Sequence, residues 1–277
     1  MQIISILSLF FEINFDTLDV MPEVNLDKFL RNGHAMFLAY DHGFEHGPTD
    51  FNETTVDPAN IVKLAQDTGV YTALIFQEGI AQSYYPLGGL DIQKTPPLLV
   101  KLNGKTKLHE GEEPYSPLLC TVDEAKRIGA SAVGYTIYVG SDYEAKMTQE
   151  FSQIEDEAHA KGLVVTAWMY PRGKEVEGKE NSKEILAYAA RIGLELGADF
   201  IKIPYTGDPE SFKWVVESAG KAKVLVSGGV KKDEAALLKD VSDFMSVGTC
   251  GIAVGRNVWQ SANPSDISKK LADIIYK

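Results

Sequence analysis

At 277 residues the chain is long enough for one large domain and needs no division into two smaller ones. Hydrophobic residues make up 44% and charged residues 24%, which supplies a sizeable core and excludes global disorder. The formal charge of −12 repels polyanions and argues against nucleic acid as a partner, whereas a small phosphorylated ligand needs only a local pocket of cations and helix N-terminal amides.

In chain order the first segment is the apolar run from Met1 to Phe15, which has the look of a secretory hydrophobic region. It lacks a positive leader and a small-residue cleavage site, Glu12 interrupts it, and it is too short to span a bilayer. Residues 1–20 are therefore read as an N-terminal extension of uncertain role, either a docking segment or the product of a start codon upstream of Met21. No Ser/Gly linker or charge block divides residues 21–277, which read as one domain. Cys120 and Cys250 are the only cysteines, and two thiols so far apart suggest a reducing compartment, hence the cytoplasm, with no membrane association.

Short apolar runs then alternate with longer amphipathic stretches, the pattern of βα units around a parallel sheet. The predicted strands are 35–40, 73–76, 98–102, 132–136, 163–169, 200–203, 224–226 and 251–254. Apolar spacing near 3.6 predicts helices over 58–68, 122–128, 142–161, 182–196, 209–219, 232–240 and 264–276, leaving the link after the second strand irregular. Eight strands with intervening helices predict an α/β fold, a single-domain (β/α)₈ TIM barrel, rather than a doubly wound sheet; no G-x-G-x-x-G follows the first strand. A barrel carries its chemistry at the C-terminal ends of the strands.

Several polar clusters fall at those ends. Strand one ends in Asp41-His42-Gly43-Phe44-Glu45-His46-Gly47-Pro48 and strand five in Trp168-Met169-Tyr170-Pro171-Arg172-Gly173-Lys174. Strand six carries Lys202 between Ile201 and Ile203, and a lysine inside a buried strand either finds a carboxylate, here Asp41 or Glu45, or loses its proton. The neutral amine is also the form that attacks a carbonyl carbon, so a salt bridge and a Schiff-base nucleophile both remain open for Lys202. Strands seven and eight end in Ser227-Gly228-Gly229 and Gly255-Arg256-Asn257, each followed by a helix start. In barrels this position commonly cradles phosphate, through close backbone approach, helix N-terminal amides and an Arg fork. Asp41 is either a general acid/base or an orienting partner of Lys202. Tyr170 is either a packed aromatic or a proton-transfer group whose phenol is acidified beside a cationic iminium. His42 and His46 have the i,i+4 spacing of a metal pair, but the segment reads as a Gly/Pro-punctuated loop with no third ligand near, so no metal is expected.

These five strand-end segments, including Lys202-Ile203-Pro204-Tyr205-Thr206-Gly207-Asp208-Pro209 and Gly251-Ile252-Ala253-Val254-Gly255-Arg256-Asn257, resemble the archaeal-type class I fructose-1,6-bisphosphate aldolases, in the same order from about Met21 to the C-terminus. The resemblance implies reversible cleavage of fructose 1,6-bisphosphate to dihydroxyacetone phosphate and glyceraldehyde 3-phosphate, with no metal or other cofactor. It places the Schiff base on Lys202, proton transfer on Tyr170, acid/base and orienting work on Asp41 and active-site packing on Trp168. It assigns phosphate binding to Ser227, Gly228, Gly229, Gly255 and Arg256, with His46, Arg172 and Lys174 as further substrate-binding candidates. Because members of the family assemble into rings or decamers, it also implies a homo-oligomer. Val230 stands where the family often has Pro, and residues 1–20 have no counterpart. Two competing readings are the related 2-amino-3,7-dideoxy-D-threo-hept-6-ulosonate synthases and phospho-sugar thiolases; a third is a non-catalytic sugar-phosphate-binding barrel in which Lys202 is merely salt-bridged.

Overall fold

The computed structural model describes residues 24–85, 93–109 and 111–277, so the extension assigned to residues 1–20 lies outside the described residues. β1 (Ala35–Ala39) runs into α1 (His42–His46), and α2 (Pro58–Thr68) leads to β2 (Ala73–Gln77). α3 (Glu78–Tyr84), β3 (Leu98–Lys101), α4 (Val122–Arg127), β4 (Ala132–Val139), α5 (Glu144–Ala160) and β5 (Val164–Pro171) follow. The chain continues through α6 (Lys183–Glu195), β6 (Phe200–Ile203), α7 (Pro209–Ser218), β7 (Lys223–Ser227), α8 (Glu234–Met245), β8 (Gly251–Val254), α9 (Arg256–Trp259) and α10 (Pro264–Ile275). All strands pair in parallel with their sequence neighbours, and β8 returns to β1, closing the barrel that the alternating pattern predicts.

Residue chemistry explains both layers. Along β1 the period-two alternation sends Ala35, Phe37 and Ala39 into the barrel lumen, where they meet Ala73, Ile75, Leu99, Phe200 and Leu225. Met36, Leu38 and Tyr40 point outward under the helices. Phe29 plugs the N-terminal end of the lumen, its ring 6.0 Å from Phe37 and 6.4 Å from Phe200. Side-chain caps set the starts of the outer helices: Asp57, Thr121, Ser182, Asp208, Asp233 and Asn263 each accept a first-turn N–H. Each such cap is worth about 1 kcal/mol.

Four local expectations are corrected. β4 and β5 run on to Val139 and Pro171, pairing Tyr138 with Tyr170, because the uninterrupted β-favouring run 135–139 gives the neighbouring strand a partner past the predicted ends. The link after β2 carries the short helix α3. α8 begins at Glu234 behind its Asp233 cap and continues to Met245, because Val241 and Phe244 extend its buried face beyond the predicted end. The segment read as a punctuated loop after β1 is helical over His42–His46, and Gly47 at φ 73 ends it.

Candidate active site

The same alternation that builds the lumen places Lys202. With Phe200 facing inward at the barrel floor, Lys202 must also face inward, one layer nearer the C-terminal mouth, while Ile201 and Ile203 face the helices. The residue is 5% exposed, and its ammonium lies 4.8 Å from the centroid of the Trp168 ring on the paired strand. Burial lowers the Lys202 pKa to about 8; the neighbouring charge of Lys101 pushes the same way, and the carboxylates of Asp41 and Glu45 oppose both.

Trp168 owes its position to a missing side chain. A Cβ on Gly134, two strands from Lys202, would meet Trp168 Cζ3 at 1.8 Å, so only glycine leaves room for the indole. The Trp168 Nε1 donor is buried with no hydrogen-bond partner in the protein, which leaves it for a ligand in the cavity that the residue lines.

Above this floor a cavity of about 520 Å³ opens at the C-terminal mouth. From the β1 end come Asp41, His42, Glu45 and His46; from β5 come Trp168, Tyr170 and Arg172. Ser227, Gly228 and Gly229 follow β7, and Gly255 and Arg256 follow β8. Burial alone would raise Asp41, but Lys202, His42 and Lys101 outweigh it and hold the carboxyl below its ordinary value. Burial drives His42 down to about 4, leaving a neutral imidazole near neutral pH, and lowers His46 as well. The two rings stack at 5.9 Å on α1, a helical i,i+4 pair after all. Among the described residues, however, no group of three or more His, Cys, Asp or Glu side chains is arranged to hold a metal ion.

The Tyr170 phenol, expected to be acidified only beside an iminium, is here in the free state. Burial first, and then the charge of Asp41, raise its pKa well above 10, so without substrate it is a firmly protonated donor. Arg172 Nη1 pairs with Glu45 Oε1 at 3.1 Å, and its guanidinium lies 5.4 Å from the rings of both Tyr138 and Tyr170. Lys174 does not join the site. Gly173 at φ 130 turns the chain away, and the Lys174 ammonium pairs instead with Asp142 at 2.7 Å, outside the cavity lining.

At the opposite wall the Gly255 backbone is pressed against α1: a Cβ there would meet His42 Cε1 at 2.4 Å. Arg256 reaches Asp50 at 3.4 Å and the Gly229 carbonyl at 3.2 Å, while its Nε is buried and unpartnered. Helix N-termini contribute less than expected here, because α9 has only four residues and the first turn of α8 is already capped by Asp233. What remains is backbone N–H and one guanidinium, a donor set suited to a phosphate or similar anion.

Lys101 escaped the sequence reading, and Glu45, foreseen as a partner of Lys202, pairs with Arg172 instead. Lys101 is 3% exposed, donates to Asn103 O at 2.9 Å and lies 5.5 Å from the Trp168 ring centroid, so two buried ammonium groups share one indole. Its signal was the same as that of Lys202, a lysine at an inward position of the apolar run Leu98-Leu99-Val100-Lys101. Glu45 lay inside a quoted motif, but its role as the counter-ion of Arg172 depends on a contact across 127 residues.

Comparison with known proteins shows the family and the fold. A family model described as DeoC/LacD family aldolase matches residues 35–261. The chain is 50% identical over 259 residues to a class 1 fructose-bisphosphate aldolase of Thermoproteus tenax, covering 92% of this chain and 95% of that one. It is 41% identical over 249 residues to a class 1 fructose-bisphosphate aldolase of Halobacterium salinarum, covering 89% and 92%. An archaeal fructose-1,6-bisphosphate aldolase whose catalytic lysine is covalently bound to the carbinolamine intermediate superposes with a TM-score of 0.85 at 49% identity, over 91% of this chain and 98% of that one.

Proposed function

The chain belongs to the DeoC/LacD family of aldolases, and on that premise we propose that it is a class I fructose-1,6-bisphosphate aldolase whose nucleophile is Lys202. The observation that carries the reading is a buried lysine near the mouth of the barrel, its pKa brought down to about 8 by burial, facing a cavity whose wall carries loop 227–229, Gly255 and Arg256.

The chemistry follows from the geometry. Neutral Lys202 adds to the C2 ketone, and loss of water from the carbinolamine gives an iminium. That cation withdraws the C3–C4 bonding pair as a base removes the C4 hydroxyl proton; glyceraldehyde 3-phosphate departs and an enamine remains. Protonation at C3 and hydrolysis release dihydroxyacetone phosphate and restore the amine. Asp41, ionised and facing Lys202, is suited to balance the iminium and handle the hydroxyl proton. Tyr170, a protonated phenol in the free enzyme, is suited to proton transfer at carbon once the iminium forms beside it. Loop 227–229, Gly255 and Arg256 form the cradle for one phosphate, while Trp168 supplies a hydrogen-bond donor and a flat wall. Arg172 and His46 line the cavity as further substrate contacts, and Lys174 carries no role.

Borohydride reduction in the presence of dihydroxyacetone phosphate tests the reading: the triose adduct is expected on the peptide containing Lys202. Lys202→Met should abolish both adduct and cleavage, and EDTA should leave cleavage intact. Wild-type cleavage by the Met variant, or activity lost to chelator, would defeat the assignment. The aldolase is further read as a cytoplasmic homo-oligomer. Both thiols are buried and free, and Tyr188 of α6 and Trp214 of α7, two large aromatics 63% and 52% exposed on neighbouring helices, are candidate anchors for self-association. Among the described residues no helix is long and apolar enough to cross a membrane.

A further inference from the structure

We propose that Asn257 is a positioning residue that holds the peptide groups of loop 227–230 in the orientation needed to receive the substrate phosphate; the inference rests on the aldolase reading above. The side chain is 5% exposed and does not itself line the cavity, whereas every residue of that loop does. It therefore works from behind. Its Nδ2 donates to Gly228 O at 2.7 Å and Val230 O at 3.1 Å, and its Oδ1 accepts from Lys232 N at 2.8 Å. One buried amide thus uses both donors and its acceptor on a single loop.

The consequence lies in the peptide planes. In a trans peptide the carbonyl and the following N–H point in opposite directions, so tying the Gly228 carbonyl back to Asn257 turns the Gly229 N–H away from Asn257, to the cavity side. Val230 O is held in the same way, and Arg256 Nη2 takes the intervening Gly229 O at 3.2 Å. Three successive carbonyls, those of Gly228, Gly229 and Val230, are all engaged by residues that follow β8. Gly229, at φ 65, sits in the left-handed region where a loop without a Cβ turns most freely, so the loop does not select this arrangement by itself. Released, any of these carbonyls could rotate towards the cavity and present a lone pair to an incoming phosphate. Only an amide supplies the pattern of two donors and one acceptor at this length of side chain.

Two substitutions separate the possibilities. Asn257→Asp keeps the shape and the bond from Lys232 N but replaces both donors with lone pairs, and Asn257→Ala removes the amide without adding charge. Adducts at Lys202 are measured after borohydride reduction with dihydroxyacetone phosphate and, separately, with unphosphorylated dihydroxyacetone, alongside Tm and the KM and kcat for fructose 1,6-bisphosphate. Two lost hydrogen bonds of ordinary strength predict a KM raised about tenfold or more in both variants, with kcat within about twofold of wild type. Trapping with dihydroxyacetone phosphate should weaken in step, and trapping with dihydroxyacetone should not change. A KM equal to that of wild type, or an equal loss with both ketones, would overturn the positioning role; so would a loss confined to the Asp variant, which would report added charge alone. Absence of any adduct in the wild-type protein would remove the aldolase reading and this inference together.

Discussion

At the residue scale the proposed chemistry depends on the protonation of Lys202. Burial in the lumen brings its pKa to about 8, so the free amine becomes the majority form only above that pH. kcat/KM for fructose 1,6-bisphosphate is therefore expected to rise with pH through about 8, and Tyr170, raised well above 10, adds no opposing loss in that range. Lys101 sharpens the prediction. Its charge disfavours the protonated form of Lys202, so Lys101→Met should raise the Lys202 pKa and move the acidic limb to higher pH, which a pH–rate profile would show directly. An unmoved limb would mean that the second ammonium is only a structural partner of Asn103.

At the element scale, adjacent strands must leave room for one another. β4 and β5 stay paired beyond their predicted ends, and β4 contributes a glycine where β5 contributes the largest side chain of the lumen. Gly134→Ala should displace the Trp168 indole, lower Tm by an amount corresponding to about 1–3 kcal/mol, and reduce kcat more than the stability loss alone explains. Thermal melts and initial rates below the melting range would separate the two effects. On the opposite end of the barrel His159 of α5 bridges two carboxylates, Asp199 at 2.9 Å and Glu155 at 2.8 Å. The hydrogen bond to Asp199 is the main cause of its raised pKa. A group whose folded pKa is raised stabilises fully below its unfolded value, near 6.5, and loses that contribution as pH rises through the folded value. His159→Gln should accordingly cost more Tm at about pH 6 than at about pH 9; a cost independent of pH would show that the bridge is not protonated.

At the scale of the whole molecule, the ring of helices leaves Tyr188 and Trp214 exposed on the neighbouring helices α6 and α7. Tyr188→Glu together with Trp214→Glu is expected to reduce the sedimenting mass of the protein while leaving the Lys202 adduct in place, since both residues lie outside the cavity. An unchanged mass would move the self-association surface elsewhere.

The sequence by itself pointed to the barrel, because eight apolar strand runs alternating with helical periodicity are written locally and favour a closed barrel over a doubly wound sheet. It also singled out Lys202, Asp41, Tyr170 and the two glycine-containing loops, since strand ends converge at one mouth in any such fold. The tertiary structure decided what distance in the chain conceals. Lys101 becomes a site residue only when the Trp168 ring comes close to both it and Lys202, and Glu45 becomes the counter-ion of Arg172 only when that residue arrives from β5. Lys174 leaves the site because Asp142 takes its charge, and burial raises the Tyr170 phenol as long as no iminium stands beside it. Those outcomes depend on desolvation and on contacts between remote segments, and neither quantity is defined until the barrel has closed.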